Sequence, residues 1–218
     1  MQRRQLVQAA AALLCSAGLS GAALAFTEGT DYIKLEKPLA NAENTLVKVY
    51  SYDCPFCFKY DKSVDPAALP LIEKETKLVF KPMHLETKGV YGRTASLYLA
   101  MCMIRDEKAG VSIESKDSLF KKAKDAIYTA YHKKQERWKS GEAAFIETMD
   151  QATGITDFET AKNDPAVVAL ADSWKATYDV ARIQGIPAYV VNGKYLIMTK
   201  SIRSIRGFAD LVKELSTK

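Results

Sequence analysis

The chain has 218 residues, 48% of them hydrophobic and 26% charged, with a formal net charge of +5. That length allows one domain or two small ones, and the mixture can build a core. No stretch after residue 25 is long and apolar enough to span a bilayer, and four cysteines are too few for a disulfide-stapled mini-domain.

Residues 1–25 read as a secretory signal peptide, to be excluded from the fold. Arg3 and Arg4 form a basic head, Leu6 to Leu24 is uncharged and rich in Ala and Leu, and Ala23-Leu24-Ala25 is a small-x-small cleavage pattern. The competing reading is a membrane anchor. Cleavage after Ala25 removes Cys15 and two arginines but no acidic residue, so the charge falls from +5 to +3. An exported protein with so little net charge is not expected to bind nucleic acid. Cys54, Cys57 and Cys102 remain.

Phe26 to Ala42 reads as polar and irregular. Thr45 to Tyr52 is rich in β-branched and aromatic residues and predicts a strand. Asp53-Cys54-Pro55-Phe56-Cys57 follows directly. Pro55 suits the first turn of a helix, so a helix should begin at Cys54 or Pro55 and run to about Ser63. Pro66 interrupts it, and a second piece leads through Leu71 to Glu75. Lys77 to Leu85 predicts another strand, with Pro82 consigning part of it to an edge or bulge.

From Thr87 the texture is helical. Tyr91 to Met103, Leu119 to Tyr131 and Glu142 to Met149 each show helical spacing. Thr156-Asp157-Phe158-Glu159 has the form of a capping box. Asp164-Pro165 starts a helix expected to run to Ile183 and stop at Gly185. Ile186-Pro187 leads into a strand over Ala188 to Asn192, Asn192-Gly193 signals a hairpin, and Lys194 to Met198 returns. Ile205 to Leu215 closes the chain as an amphipathic helix. The expected class is α/β: residues 26–86 and 176–218 form one mixed sheet with helices, and residues 87–175 form an inserted helical domain.

Two thiols one turn apart at a helix N-terminus form a reactive pair. Unpaired N–H groups and the helix dipole favour negative charge on Cys54. That lowers its pKa, and a stabilised thiolate makes the disulfide a stronger oxidant. A zinc site would need two further ligands, and Cys102, His84 and His132 form no second close pair. No metal is therefore expected. An inert structural disulfide stays open on the CxxC alone, but a strand–CxxC–helix followed by Gly-Ile-Pro before a strand favours redox chemistry. Cys102 lies in an apolar helical run and reads as a small buried hydrophobe. The lysine-rich stretch around Lys121, Lys122 and Lys124 reads as a solvated helix face.

Cys54-Pro55-Phe56-Cys57 after an apolar strand, Gly185-Ile186-Pro187-Ala188 and Val191-Asn192-Gly193-Lys194-Tyr195 resemble the DsbA thiol:disulfide oxidoreductases. The resemblance covers nearly the whole mature chain. It implies a thioredoxin fold with an inserted helical domain. Phe26-Thr27-Glu28-Gly29-Thr30-Asp31-Tyr32, His84-Leu85-Glu86-Thr87-Lys88-Gly89 and Ile186 to Ile197 are similar to the DsbL subgroup in particular. The resemblance implies a periplasmic, monomeric dithiol oxidase with no cofactor beyond its redox-active disulfide. It also implies an arylsulfate sulfotransferase as client, and a DsbB-like membrane quinone oxidoreductase of the DsbI type as reoxidant.

Matched residue by residue, Cys54 is the nucleophile, Cys57 closes the disulfide, and Ile186 and Pro187 belong to a cis-proline loop. Two positions depart from the common DsbA pattern. Phe56 stands where that family has histidine, and Lys48 stands where it has a buried acid, whose usual lysine partner aligns with Pro82. Lys48 then has two readings: a cation that favours the thiolate, or a side chain that snorkels to solvent. The alternative functions are a disulfide isomerase or reductase, and a non-catalytic periplasmic binding module with an inert disulfide. Only 28 residues separate the cleavage site from Cys54, which leaves no room for the N-terminal dimerisation domain of typical exported isomerases.

Overall fold

Five strands make one sheet in a computed structural model that describes residues 26–218. The signal peptide expected over 1–25, with Cys15, lies outside the described residues. The strands are β1 (Tyr32–Lys34), β2 (Thr45–Tyr50), β3 (Val79–His84), β4 (Ala188–Val191) and β5 (Tyr195–Ile197), in the order β1-β5-β4-β2-β3. β2 and β3 run parallel, and the other three pairings are antiparallel. Helices α1 (Pro55–Ser63) and α2 (Asp65–Glu75) connect β2 to β3. Between β3 and β4 lie α3 (Gly92–Lys108), α4 (Leu119–Tyr128), α5 (Glu142–Thr153), α6 (Phe158–Ala161), α7 (Pro165–Ser173) and α8 (Thr177–Gln184). α9 (Ile205–Ser216) ends the chain.

Both faces of the sheet are covered, so its central strands are buried on each side. All six residues of β2 and all four of β4 are buried. Val47, Val49, Ala188 and Val190 join a core with α3, α4 and α5, while Leu46, Tyr189 and Val191 join a second core with α2 and α9. This is the thioredoxin arrangement that the resemblance implies, with a run of helices between β3 and β4. Pro82 sits inside β3 without cost to the ladder because β3 is an edge strand.

The sequence reading differs from the structure in three places. Residues 26–42 are not wholly irregular, because Tyr32–Lys34 pairs with β5, a contact 163 residues away that no local pattern announces. The capping box at Thr156 does not form. Asp157 takes the N-cap position without a side-chain cap bond, and Glu159 instead pairs with Lys162 at 2.7 Å. The helix expected from Asp164 to Ile183 is broken at Trp174–Ala176 by a tighter turn. There the buried Thr177 donates its hydroxyl to the Trp174 carbonyl at 2.6 Å, a local bond that competes with continuation of the helix. The Asp164 cap does form, accepting from the Ala166 N–H at 2.8 Å.

Candidate active site

The two halves of the site meet because β2 and β4 are antiparallel neighbours. Val49 of β2 stands opposite Ala188 of β4. The chain leaving β2 and the chain entering β4 therefore emerge at the same end of the sheet. The first carries Cys54 and the second carries Ile186 and Pro187, joined by a cis peptide bond. The Cys54 thiol faces the Ile186 carbonyl at 3.6 Å. Gly185, at φ +80°, ends α8 and turns the chain into this loop, a conformation other residues rarely adopt.

Cys54 is the N-cap of α1, with Pro55 at the first helical position. Its sulfur accepts the Cys57 N–H at 3.1 Å, occupying one of the unpaired donors of the helix start. Cys54 is half-buried, Cys57 is fully buried, and both are free thiols. The Cys57 thiol, donating to the Cys54 sulfur, does most to lower the Cys54 pKa; partial burial opposes it, and the N–H groups of Cys57 and Phe56 assist. Burial pushes the Cys57 thiol far up, and the Cys54 sulfur adds to this, while the Ser51 backbone and Lys48 oppose it. The pair is thus split into an accessible nucleophile that ionises readily and an inner thiol that holds its proton. Pro55 and Phe56 lie on the surface beside the pair, and Phe56 is 65% exposed.

Lys48 lies in β2 opposite Pro82 of β3. It is 3% exposed, so it does not snorkel. Its ammonium pairs with Asp65 at the start of α2, which also accepts from the Tyr189 hydroxyl. Burial would lower the Lys48 pKa, but the charges of Asp65 and Asp61 outweigh it and hold the ammonium protonated. Asp61, one turn beyond Cys57 on α1, pairs with Lys124 of α4 and tethers the redox helix to the helical block.

Two histidines brace the turn between β2 and α1, and neither was singled out from sequence as part of the site. His132 lies in a widened helical turn, Thr129–Lys133, that continues α4. Such turns are rare and recur at functional sites. Here the ring stacks on Phe58 and its Nε2 donates to the Tyr52 carbonyl at 2.8 Å. His84 is buried at the end of β3. Its Nε2 accepts from the Tyr52 N–H at 3.2 Å, so its Nδ1 is the donor to Ser96 Oγ at 2.9 Å. Burial holds the His84 pKa down at about 3, against an ordinary 6.5.

Below pH 6.5 the unfolded chain binds a proton that folded His84 refuses, so stability falls as pH drops from about 6.5 towards 3. About 2 kcal/mol should be lost between pH 7 and pH 5. Urea unfolding of the oxidised protein across that range measures it, and His84→Gln should remove most of the slope. A variant with an unchanged slope would mean that His84 is protonated in the fold.

Among the described residues, no group of three or more His, Cys, Asp or Glu side chains is placed to hold a metal ion. Cys102 is buried in α3, and burial raises its thiol pKa well above the ordinary value.

No protein-family model matches the chain. It is 55% identical over 211 residues to the thiol:disulfide interchange protein DsbL of Escherichia coli O6:H1 strain CFT073, covering 94% of each chain. Its structure superposes on crystalline DsbL of Salmonella enterica serovar Typhimurium with a TM-score of 0.84 at 56% identity, covering 89% of this chain and 98% of that one. The disulfide oxidoreductase DsbA of Proteus mirabilis shares the fold, with a TM-score of 0.68 at 20% identity over 89% and 98% of the two chains.

Proposed function

The chain belongs to the DsbA-like thiol:disulfide oxidoreductases, in the DsbL subgroup, and on that premise we propose that it is a periplasmic dithiol oxidase acting through Cys54 and Cys57. A client thiolate attacks the Cys54 sulfur of the protein disulfide. The Cys54–Cys57 bond breaks, and Cys57 leaves as a thiolate that takes a proton in its buried position. The client's second thiolate then attacks its own bridged sulfur, and Cys54 departs as the stabilised thiolate. Two electrons pass from client to protein, and the client gains a disulfide. The backbone around Ile186, facing Cys54, presents the surface on which an extended client segment can align. The asymmetry of the two sulfurs carries this reading, because an easily ionised outer thiol is a good leaving group.

The finer assignments follow the likeness to DsbL. The client is an arylsulfate sulfotransferase, the reoxidant is a DsbI-type, DsbB-like quinone-linked membrane protein, and the protein works as a monomer after loss of residues 1–25. Lys48 has its electrostatic reach on Cys57 rather than Cys54, and it favours ionisation of the inner sulfur when that sulfur must attack during reoxidation.

The experiment is a redox titration against glutathione. The protein should be mostly reduced in buffers where glutathione remains largely disulfide. It should also re-form disulfides in reduced sulfotransferase faster than in an unrelated dithiol protein. A pair that stays oxidised in millimolar reduced glutathione would identify a structural disulfide and end the proposal.

Thermal stability gives a second measurement. The lowered Cys54 pKa stabilises the folded reduced state above that pKa, and the gain disappears as pH falls through it. The reduced form should therefore melt above the oxidised form at pH 7, with the gap closing in acid. A more stable oxidised form at pH 7 contradicts the expectation.

A further inference from the structure

Asp53 precedes the nucleophile, and it is the only acidic residue between Glu43 and Asp61. Its carboxylate accepts the Thr87 hydroxyl, and Thr87 Oγ1 lies 3.0 Å from Ser51 Oγ. Ser51 in turn gives its carbonyl to the Cys54 N–H at 3.2 Å. This chain of bonds clamps Asp53 between the end of β2 and the loop after β3. The same loop packs closely on Tyr52, where Gly89 leaves no room for a Cβ and the Tyr52 hydroxyl accepts the Tyr91 N–H at 3.2 Å.

Lys48 of β2 is paired with Asp65, Asp61 of α1 is paired with Lys124 and Lys62, and Lys59 of α1 is exposed to solvent. His132, from the helical block, is bonded to the Tyr52 carbonyl, and the loop before β4 contributes the Ile186 carbonyl. The first turn of α1 holds no acidic side chain. Asp53 is therefore an anion fixed where another anion, the Cys54 thiolate, must form. A fixed like charge disfavours that thiolate. A helix N-terminus built to favour a thiolate is accompanied by a residue that works against it.

We propose that Asp53 is a redox-setting residue: clamped by Thr87 beside Cys54, its carboxylate keeps the pair less oxidising than the helix N-terminus alone would make it. The inference rests on the oxidase reading for its meaning, but not for its measurement. Asp53 acts through Cys54 and is a positioning residue rather than a catalytic one. Its charge opposes the Cys54 thiolate in the same direction as burial does. The equilibrium it sets is the exchange of the protein disulfide and two glutathione thiols for the protein dithiol and one glutathione disulfide. Above the Cys54 pKa, one proton from the protein dithiol passes to the buffer.

Asp53→Asn keeps the size of the side chain and an oxygen for Thr87, so it isolates the charge. The Cys54 pKa, read from thiolate absorbance against pH, should fall by about half a unit to one unit. The glutathione equilibrium at pH 7 should move towards reduced protein by the matching factor, about three- to tenfold. Asp53→Ser should move both in the same direction. Thr87→Ser keeps the hydroxyl and should leave both where they are. An unchanged or raised Cys54 pKa in folded Asp53→Asn and Asp53→Ser would overturn the proposal. That outcome leaves the oxidase reading intact, because the wild-type glutathione titration tests it separately.

Discussion

Cys54→Ser is expected to abolish oxidation of a reduced dithiol peptide, a loss of about three orders of magnitude or more. Cys54 is the half-exposed sulfur at the helix start, facing the loop before β4, whereas Cys57 is fully buried beneath it. A client can therefore reach one sulfur and not the other. Cys57→Ser should not simply inactivate the protein. Its Cys54 thiolate can still attack the disulfide of an oxidised client, and the inner thiol that would resolve the resulting bridge is missing, so mixed disulfides with clients should accumulate on Cys54. Non-reducing electrophoresis followed by peptide mass mapping locates the bond. Arylsulfate sulfotransferase should be among the trapped proteins if the client assignment holds. Adducts mapped to Cys57 in the Cys54→Ser variant would reverse the roles, and adducts mapped to Cys102 would overturn the assignment of Cys54. Cys102 is not expected to react, because its thiol is fully buried in α3.

The second large effect belongs to Lys48. Lys48→Met should cost about 3–5 kcal/mol of stability, because it leaves Asp65 buried without its cation. The Tyr189 hydroxyl stays on Asp65 but does not replace a charge. Lys48→Met combined with Asp65→Asn should recover more than half of the loss, since no ion is then left unpaired. Urea unfolding of the oxidised proteins gives the three values and their coupling. The Cys54 pKa should move little in Lys48→Met, because the ammonium acts on Cys57 and is opposed by Asp65 and Asp61. A cost below about 1 kcal/mol would mean that the pair behaves like a surface ion pair. A clear rise in the Cys54 pKa would instead make Lys48 the tuner of the outer sulfur.

Lys48 also shows where sequence reasoning stops. From sequence its two readings were a cation near the disulfide and a side chain reaching solvent. Burial removes the second, and Asp65 changes the first. Nothing in the sequence around Lys48 pointed to Asp65, seventeen residues on and across a helix junction at Val64. From the sequence His132 entered only as a zinc-ligand candidate without a close partner. Its bond to the Tyr52 carbonyl depends on a widened turn that no spacing rule anticipates. The tighter turn at Trp174–Ala176 is of the same kind, because the Thr177 hydroxyl there bonds back to the Trp174 carbonyl in competition with the regular helix.

The sequence by itself determined the features whose causes are local. Pro55 after Cys54 starts α1 with the sulfur at its cap, because proline's missing N–H is spent where a helix has no use for it. Asn192 and Gly193 both adopt positive φ and turn β4 into β5, as that dipeptide prefers. The thiolate position, the strand–helix–strand start and the closing hairpin all follow from neighbours a few residues apart. The tertiary structure decided what surrounds the sulfurs. Cys54 meets Ile186 across 132 residues, His132 meets Tyr52 across 80, and Thr87 meets Asp53 across 34. Each of these contacts exists because the antiparallel register of β2 with β4, and the packing of the helices against β2 and β3, bring these segments together at one end of the sheet. Sheet register is set by the burial of whole strand faces. The residues that tune the redox pair are therefore chosen by packing over the full chain, while the pair itself is specified within a single turn of helix.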